Sequence, residues 1–357
     1  MRRATIRDVA ADAGVSIGTA SKALNGQGRL RPETRARVAE AARRLRFAPN
    51  PLARALLAGR TYTVGMITTD SFGRFSIPVM LGAEDALGAG RISVFMCDTR
   101  DDPERERRYL EMLTGRRVDG LIVTGRRTEP RPPIGAGPGI PVVYAMTQPD
   151  GSDGPGAPGG PAGAGGPAGA GGPGGADGPA VLPDDAGGGA MAGTHLLATG
   201  RRRIAHITGP ERFLAARQRA QGLRGVLAEA GTPLAAGDVL YGEWSERWGR
   251  EAAGLLLRRS PATDAIFCGS DQIARGAGDA LRAAGRRVPG DIALVGFDNW
   301  EPMVLGADPP LSSVDMCLED IGRAAAADLL AAIGGEPARG VRIVPARLVV
   351  RASSAPC

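Results

Sequence analysis

A single lysine, Lys22, stands among the 357 residues; every other basic residue is arginine. Aromatic side chains make up 4% of the chain, and there are two histidines, His195 and His206. The four cysteines (Cys97, Cys268, Cys317, Cys357) are far apart and share no paired spacing. That scarcity excludes a disulfide framework and a Cys/His zinc site, and it fits a reducing compartment. A P-loop, a nucleophile elbow and metal-ligand spacing are all missing, so we expect no enzyme and no cofactor. Nothing approaches the ~20 apolar residues of a membrane helix. No apolar run follows Arg2-Arg3, so no export signal is read and a cytoplasmic protein without a membrane partner is expected.

What is present is unevenly placed. The chain is long enough for two or three domains, and its 43% hydrophobic content can build a core. Residues 1–60 hold 13 basic and 4 acidic side chains, net +9, against +6 for the whole chain. The remainder is therefore slightly acidic. A basic head on a near-neutral body points to a polyanion-binding module joined to something else.

The head has helix signals in close order. Thr5 and Asp8 make a capping-box-like start, and Ile6, Val9, Ala10 and Ala13 share one face. Gly14 suits a tight turn, Ser16 can cap a second helix over Ile17–Leu24, and Asn25-Gly26 can stop it. A third helix starts near Pro32-Glu33, with Val38, Ala41, Ala42 and Leu45 facing a core. Helix, glycine turn, helix within about 20 residues is a helix-turn-helix pattern.

In the body, short apolar runs alternate with helical stretches. Val64–Thr68, Ser93–Cys97, Leu121–Thr124 and Pro141–Ala145 read as buried parallel strands, with helices at Met80–Ala89 and Pro103–Leu113. A second set follows: strands at Arg203–Thr208, Asp238–Tyr241, Ala265–Cys268 and Ala293–Gly296, with helices near Gly189–Ala198, Arg217–Ala230, Glu246–Leu257 and Ile273–Ala284. Two such sets suggest two lobes, with ligands beyond the carboxyl ends of the strands. Residues 151–180 contain 14 Gly, 7 Ala and 6 Pro, a composition that cannot build a core. We read this stretch as a disordered insertion within the first lobe. Glycine at every third position from Gly160 to Gly178 is a collagen-like period, too short and too glycine- and alanine-rich to be taken as a triple helix.

The segments TIRDVAADAGVSIGTASKALNG, TRARVAEAARRLRFAPNPLARALLAGRT, THLLATGRRRIAHITGP, RAQGLRGVLAEAG and DAIFCGSDQIARGAGDALRAAGRRVPGDIALVGFDN, in this order, resemble the lactose-repressor (LacI/GalR) family of bacterial transcription regulators. The resemblance covers nearly the whole chain apart from the insertion. It implies an N-terminal all-α helix-turn-helix domain (1–49), a hinge helix (50–60) and an α/β two-lobed periplasmic-binding-protein-like effector domain (61–357). Lobe 1 would take about 61–187 and 315–340, and lobe 2 about 188–314 and 341–357. The chain would cross between them near Asp185–Gly189, Pro310–Asp315 and Gly340.

The resemblance also implies sites. Ile17, Gly18, Ser21 and Lys22 would face bases, with Ser16, Thr19 and Asn25 on phosphates and Thr5 and Arg29 completing the DNA-facing set. Physically, Ile17 offers only apolar contact, Gly18 offers none, and Lys22 is the strongest donor to guanine, phosphate contact being its alternative. Asn50, Ala53 and Leu56 would line the minor groove, Leu56 wedging between base pairs of a palindromic operator. Phe75, Ser76, Arg219, Trp244, Asp271 and Asp298 would contact an effector, a carbohydrate first and a nucleoside or other metabolite second. The implied partners are a double-stranded DNA operator, that small molecule and a second copy, as a homodimer or a tetramer. A corepressor would use the same mechanics with opposite sign. The rivals are a transport-type sugar-binding protein, which the basic head opposes, and an enzyme on the same α/β frame.

Overall fold

The computed structural model describes residues 4–24, 28–47, 60–88, 92–137, 139–150 and 178–355. The chain divides into two compact units, Met1–Tyr62 and Thr63–Cys357.

In the first unit, α1 (Ile6–Asp12) starts on a complete capping box: Thr5 N donates to Asp8 Oδ2 at 2.7 Å and Asp8 N to Thr5 Oγ1 at 3.4 Å. Gly14, at φ +63°, turns the chain. Ser16 Oγ then accepts from Thr19 N at 3.1 Å at the start of α2 (Ile17–Leu24). Pro32 occupies the first turn of α3 (Pro32–Arg44), where its missing N–H costs nothing. Val9, Ala10, Ala13, Ala20, Val38, Ala41 and Ala42 form the small core. Asn25-Gly26, the expected stop of the second helix, lies outside the described residues.

The second unit begins with β1 (Thr63–Thr68), α4 (Ser76–Leu87), β2 (Ser93–Asp98), α5 (Pro103–Gly115) and β3 (Gly120–Thr124). Next come the two-residue β4 (Pro130–Arg131), β5 (Val142–Ala145), the two-residue β6 (Gln148–Pro149) and β7 (Ala180–Pro183). The chain then runs through α6 (Asp185–Ala198), β8 (Ile204–Thr208), α7 (Leu214–Glu229), β9 (Leu240–Tyr241) and α8 (Glu246–Arg259). After these lie β10 (Ala265–Cys268), α9 (Asp271–Ala283), β11 (Ala293–Phe297), the short α10 (Glu301–Leu305) and β12 (Ser312–Asp315). It ends in α11 (Leu318–Ile333), β13 (Val341–Val344) and β14 (Arg347–Val349).

The strands form two six-stranded sheets, in the orders β13-β7-β5-β3-β1-β2 and β14-β12-β11-β10-β8-β9. All pairs within them are parallel except β12 with β14. Central strands such as GLIVT and ALVGF are buried along their whole length, which is why they read as unbroken apolar runs. Each sheet reverses direction beside its first strand, between β1 and β3 and between β8 and β10. Ligand crevices form at such switch points.

The lobe boundaries differ from expectation. β12 pairs with β11, so the second crossing follows Asp315 instead of preceding it. The third was expected near Gly340, with 341–357 in lobe 2. Val341–Val344 instead pairs with β7 of lobe 1, in the register Val341↔Ala180, and the crossing falls at Pro345–Ala346. Gly340 (φ +75°) only turns the chain into that strand. Ala180 is also part of the sheet, not of the insertion; residues 151–177 lie outside the described residues.

Candidate functional sites

The first candidate is the outer face of α2. Ala20 packs inward, so its neighbours one step round the helix face out: Ile17 is 47% exposed, and Ser16, Gly18 and Lys22 are exposed, with Thr19 and Ser21 half-buried. Ser16 Oγ and Thr19 Oγ1 lie 2.9 Å apart, fixing each other. Arg29 and Thr5 are also exposed. Asn25, Asn50, Ala53 and Leu56 lie outside the described residues.

The second is a cleft between the two sheets, of about 540 Å³, within the ~300–1,000 Å³ typical of small-molecule sites. From lobe 1 it takes Asp70 to Phe75 after β1 and Arg126 to Glu129 after β3; from lobe 2 it takes Phe213, Arg219, Trp244, Gln272, Asp298 and Trp300. Most of them follow the carboxyl ends of strands, those after β1, β3, β8 and β10 flanking the two switch points and the others following β9 and β11, while Arg219 reaches in from α7.

Its electrostatic centre is Arg219, on α7 and 5% exposed. Nε donates to Asp185 Oδ1 at 2.8 Å and Nη1 to the Gly269 carbonyl at 2.6 Å. Asp298 Oδ1 lies 3.7 Å from Nη1, and the guanidinium sits 3.6 Å over the Phe297 ring. Burial pushes both Asp185 and Asp298 upward, and the arginines oppose it: Arg219 at Asp185, Arg74 and then Arg219 at Asp298. Asp298 occupies φ +103° and Asn299 φ +51°. Hydrogen bonds anchor this turn: Asn299 N donates to Ser313 Oγ at 3.0 Å, and Arg351 donates to Asn299 Oδ1 at 2.8 Å. Polar contacts join the lobes across the cleft. Arg74 pairs with Asp298, and Glu129 Oε1 accepts from Leu214 N, at the start of α7, at 2.5 Å.

Residues 5–50 match the family described as bacterial regulatory proteins, lacI family, and residues 194–354 match a periplasmic binding protein-like domain. The HTH-type transcriptional regulator CelR of Thermobifida fusca is 35% identical over 359 residues, covering 99% of this chain and 98% of that protein. This chain belongs to the lacI family of bacterial regulatory proteins. It is a DNA-binding transcriptional regulator. The ribose operon repressor of Escherichia coli (strain K12) is 31% identical over 324 residues, 90% of this chain and 91% of that one. A solved CelR–cellobiose complex superposes with TM-score 0.65 at 32% identity, covering 98% and 100% of the two chains. The lac repressor dimer bound to operator and the anti-inducer ONPF has the same fold, with TM-score 0.69 at 23% identity over 99% of each chain.

In this lacI-family body, four of the six expected effector residues line the cleft together: Phe75, Arg219, Trp244 and Asp298. Ser76 and Asp271 do not. Ser76 is fully buried in the first turn of α4, its N–H and hydroxyl on Asp70. Asp271 opens α9, fully buried, and accepts from Ser313 Oγ at 2.6 Å and from Trp300 N at 2.7 Å. Both of its oxygens are engaged in positioning the 298–300 turn, away from the cleft lining. Burial and the charge of Asp298 push its carboxyl up to about 8. Sequence reasoning missed Phe213, Gln272 and Trp300 as cleft residues; Trp300, two residues after Asp298, was the one with a signal.

His206, inside β8, is fully buried and stacks on Phe267 with ring centroids 4.6 Å apart. Its Nδ1 donates to the Phe267 carbonyl at 2.9 Å while Nε2 has no partner, and burial lowers its pKa to about 4. A histidine held neutral by the fold is protonated first in the unfolded chain. It therefore contributes stability above pH 6.5 that is lost as pH falls through about 4, roughly 3 kcal/mol in all. Urea unfolding from pH 7 down to pH 4 should show this acid limb flattened in His206→Gln; an unchanged slope would remove His206 from the account.

Proposed function

We propose that this regulator is a homodimeric repressor that leaves a palindromic operator when a carbohydrate binds the inter-lobe cleft. The observation that carries the reading is the cleft itself. Its aromatic faces (Phe75, Phe213, Trp244, Trp300) and a carboxylate on a strained turn, Asp298, suit a ring bearing hydroxyls. Cellobiose in the CelR complex and the ribose operon name supply the first two ligands to try. Exposed Ile77 and Leu81 on α4, with Phe95 and Met96 on the edge strand β2, support a second copy against lobe 1. Cytoplasmic residence follows from the operator role.

On DNA, α2 lies in the major groove and Lys22 donates to guanine, while Ile17 offers a thymine methyl an apolar contact. Gly18 is silent, so direct readout is thin, and the segment around Leu56 supplies specificity through a central kink. Lys22→Ala should relax base preference at one or two symmetric positions, at about 1–3 kcal/mol for the preferred operator. Footprinting and gel shift on the DNA upstream of the gene, with and without cellobiose or ribose, test the scheme. An asymmetric footprint would sink the palindrome. A loss for Lys22→Ala that is equal on all sequences would make Lys22 a phosphate contact.

A further inference from the structure

The cleft holds a charged side chain in the kind of environment a ligand would seek. The Arg74 guanidinium carbon lies 4.9 Å from the Phe75 ring centroid and 4.6 Å from that of Trp300. The same group pairs with Asp298, and its Nη1 donates to Gln272 Oε1 at 3.0 Å. Arg74 and Phe75 come from lobe 1; Trp300, Asp298 and Gln272 come from lobe 2. One side chain, 14% exposed, therefore joins the lobes through an aromatic stack, a carboxylate and an amide. A polyhydroxylated ligand would use the same three chemistries.

We infer that Arg74 is a built-in occupant of the cleft, holding the lobes together in the ligand-free protein, and that an effector must displace it from Asp298 to bind. The inference rests on the reading of the cleft as the effector site. Two further observations separate it from an ordinary ion pair. Asp298 is presented from a left-handed backbone conformation (φ +103°) that an aspartate adopts only when its surroundings impose it. Arg74 Nε is buried with no acceptor, so the closed arrangement leaves a donor unsatisfied. That cost disappears when the guanidinium swings out to water. The contact is strong enough to close the cleft and incomplete enough to be released.

Arg74 then sets specificity by competition. A ligand must offer Asp298 at least one hydroxyl donor and cover the Phe75 and Trp300 faces as well as the guanidinium does. A flat apolar molecule lacks the donor and leaves Asp298 buried with only the more distant Arg219, at 3.7 Å, so it is disfavoured.

The experiment uses the full chain as wild type, Arg74→Ala and Arg74→Lys. Small-angle scattering without ligand should show a larger radius of gyration for Arg74→Ala, with Arg74→Lys between the two, because lysine reaches Asp298 but cannot stack as a plane. Calorimetry with cellobiose and with ribose should show Arg74→Ala binding the sugar that wild type binds about tenfold more tightly, since the competing closed state is gone. Unchanged scattering would overturn the inference, and so would weaker binding by Arg74→Ala, which would make Arg74 a direct ligand contact. If neither sugar binds any form, the carbohydrate reading falls, and the scattering decides the role of Arg74 by itself.

Discussion

Gly222→Ala should destabilise the body by about 3 kcal/mol or more, while Gly225→Ala, one turn further along the same helix, should stabilise it by up to about 1 kcal/mol. A Cβ on Gly222 would lie 1.9 Å from the Ala186 carbonyl oxygen, whereas one on Gly225 meets nothing within 4 Å. The first obstacle is backbone, so α6 and α7 must move apart. The contact is reciprocal, because a Cβ on Gly189 would lie 2.1 Å from the Arg219 carbonyl oxygen. Two other helix pairs meet in the same way. Gly82 and Gly322 bring α4 against α11, with clashes of 1.9 Å on Glu319 O and 2.0 Å on Val79 O. Gly249 and Gly276 bring α8 against α9, with 2.2 Å on Ile273 O and 2.0 Å on Glu246 O. Domains hold only about 5–15 kcal/mol in reserve, so one such methyl removes a large share. Urea midpoints of the two alanine variants decide the matter. Equal shifts would mean that the helices separate easily and that close approach contributes nothing.

Arg219→Met should be the most damaging change in the cleft, at about 3–5 kcal/mol, because it strands two carboxylates. Asp185 is 2% exposed and, among the described residues, has no other cation; Asp298 keeps only Arg74 among them. Both carboxyls are already raised by burial, and losing Arg219 raises them further. The sign of the pH dependence follows. A carboxyl whose folded pKa lies above its unfolded value binds more protons when folded, so stability falls as pH rises from the unfolded value through the folded one. Arg219→Met should therefore lose more stability at pH 8 than at pH 5.5, and Arg219→Met/Asp185→Asn should recover part of the loss at pH 8. A loss of the same size at both pH values would show that charge burial is not the cause.

The helix-turn-helix was legible because its signals are local. Thr5 and Asp8 cap within three residues, and Gly14 and Ser16 act where they stand. The central strands were legible because burial on both faces leaves an apolar run. The edges were not: β13 and β14 carry Arg342 and Arg347 and are half exposed, so neither has the apolar run of a strand, and Gly340 mimics a crossing. Helix α4 starts four residues before the expected Met80, because Asp70, six positions before Ser76, caps it from inside the preceding loop. In the cleft, residue types at strand ends were readable, but the direction of a side chain at a helix start was not. Asp271 and Asp298 follow neighbouring strands, yet only Asp298 faces the cleft. The Arg74–Asp298 contact spans 224 positions, and no local pattern carries it.

The strand that completes each sheet comes last in sequence order. β13 completes the edge of the lobe 1 sheet and β14 that of the lobe 2 sheet, only a few residues apart. A ribosome building this protein releases α1, α2 and α3 early, with all the core residues they share already made. The two sheets must wait: a nascent chain halted at residue 340 holds five of the six strands of each. Completion of both sheets thus waits for residues 341–349, and a chain cut between the first unit and residue 341 keeps a DNA-reading head without a finished sensor.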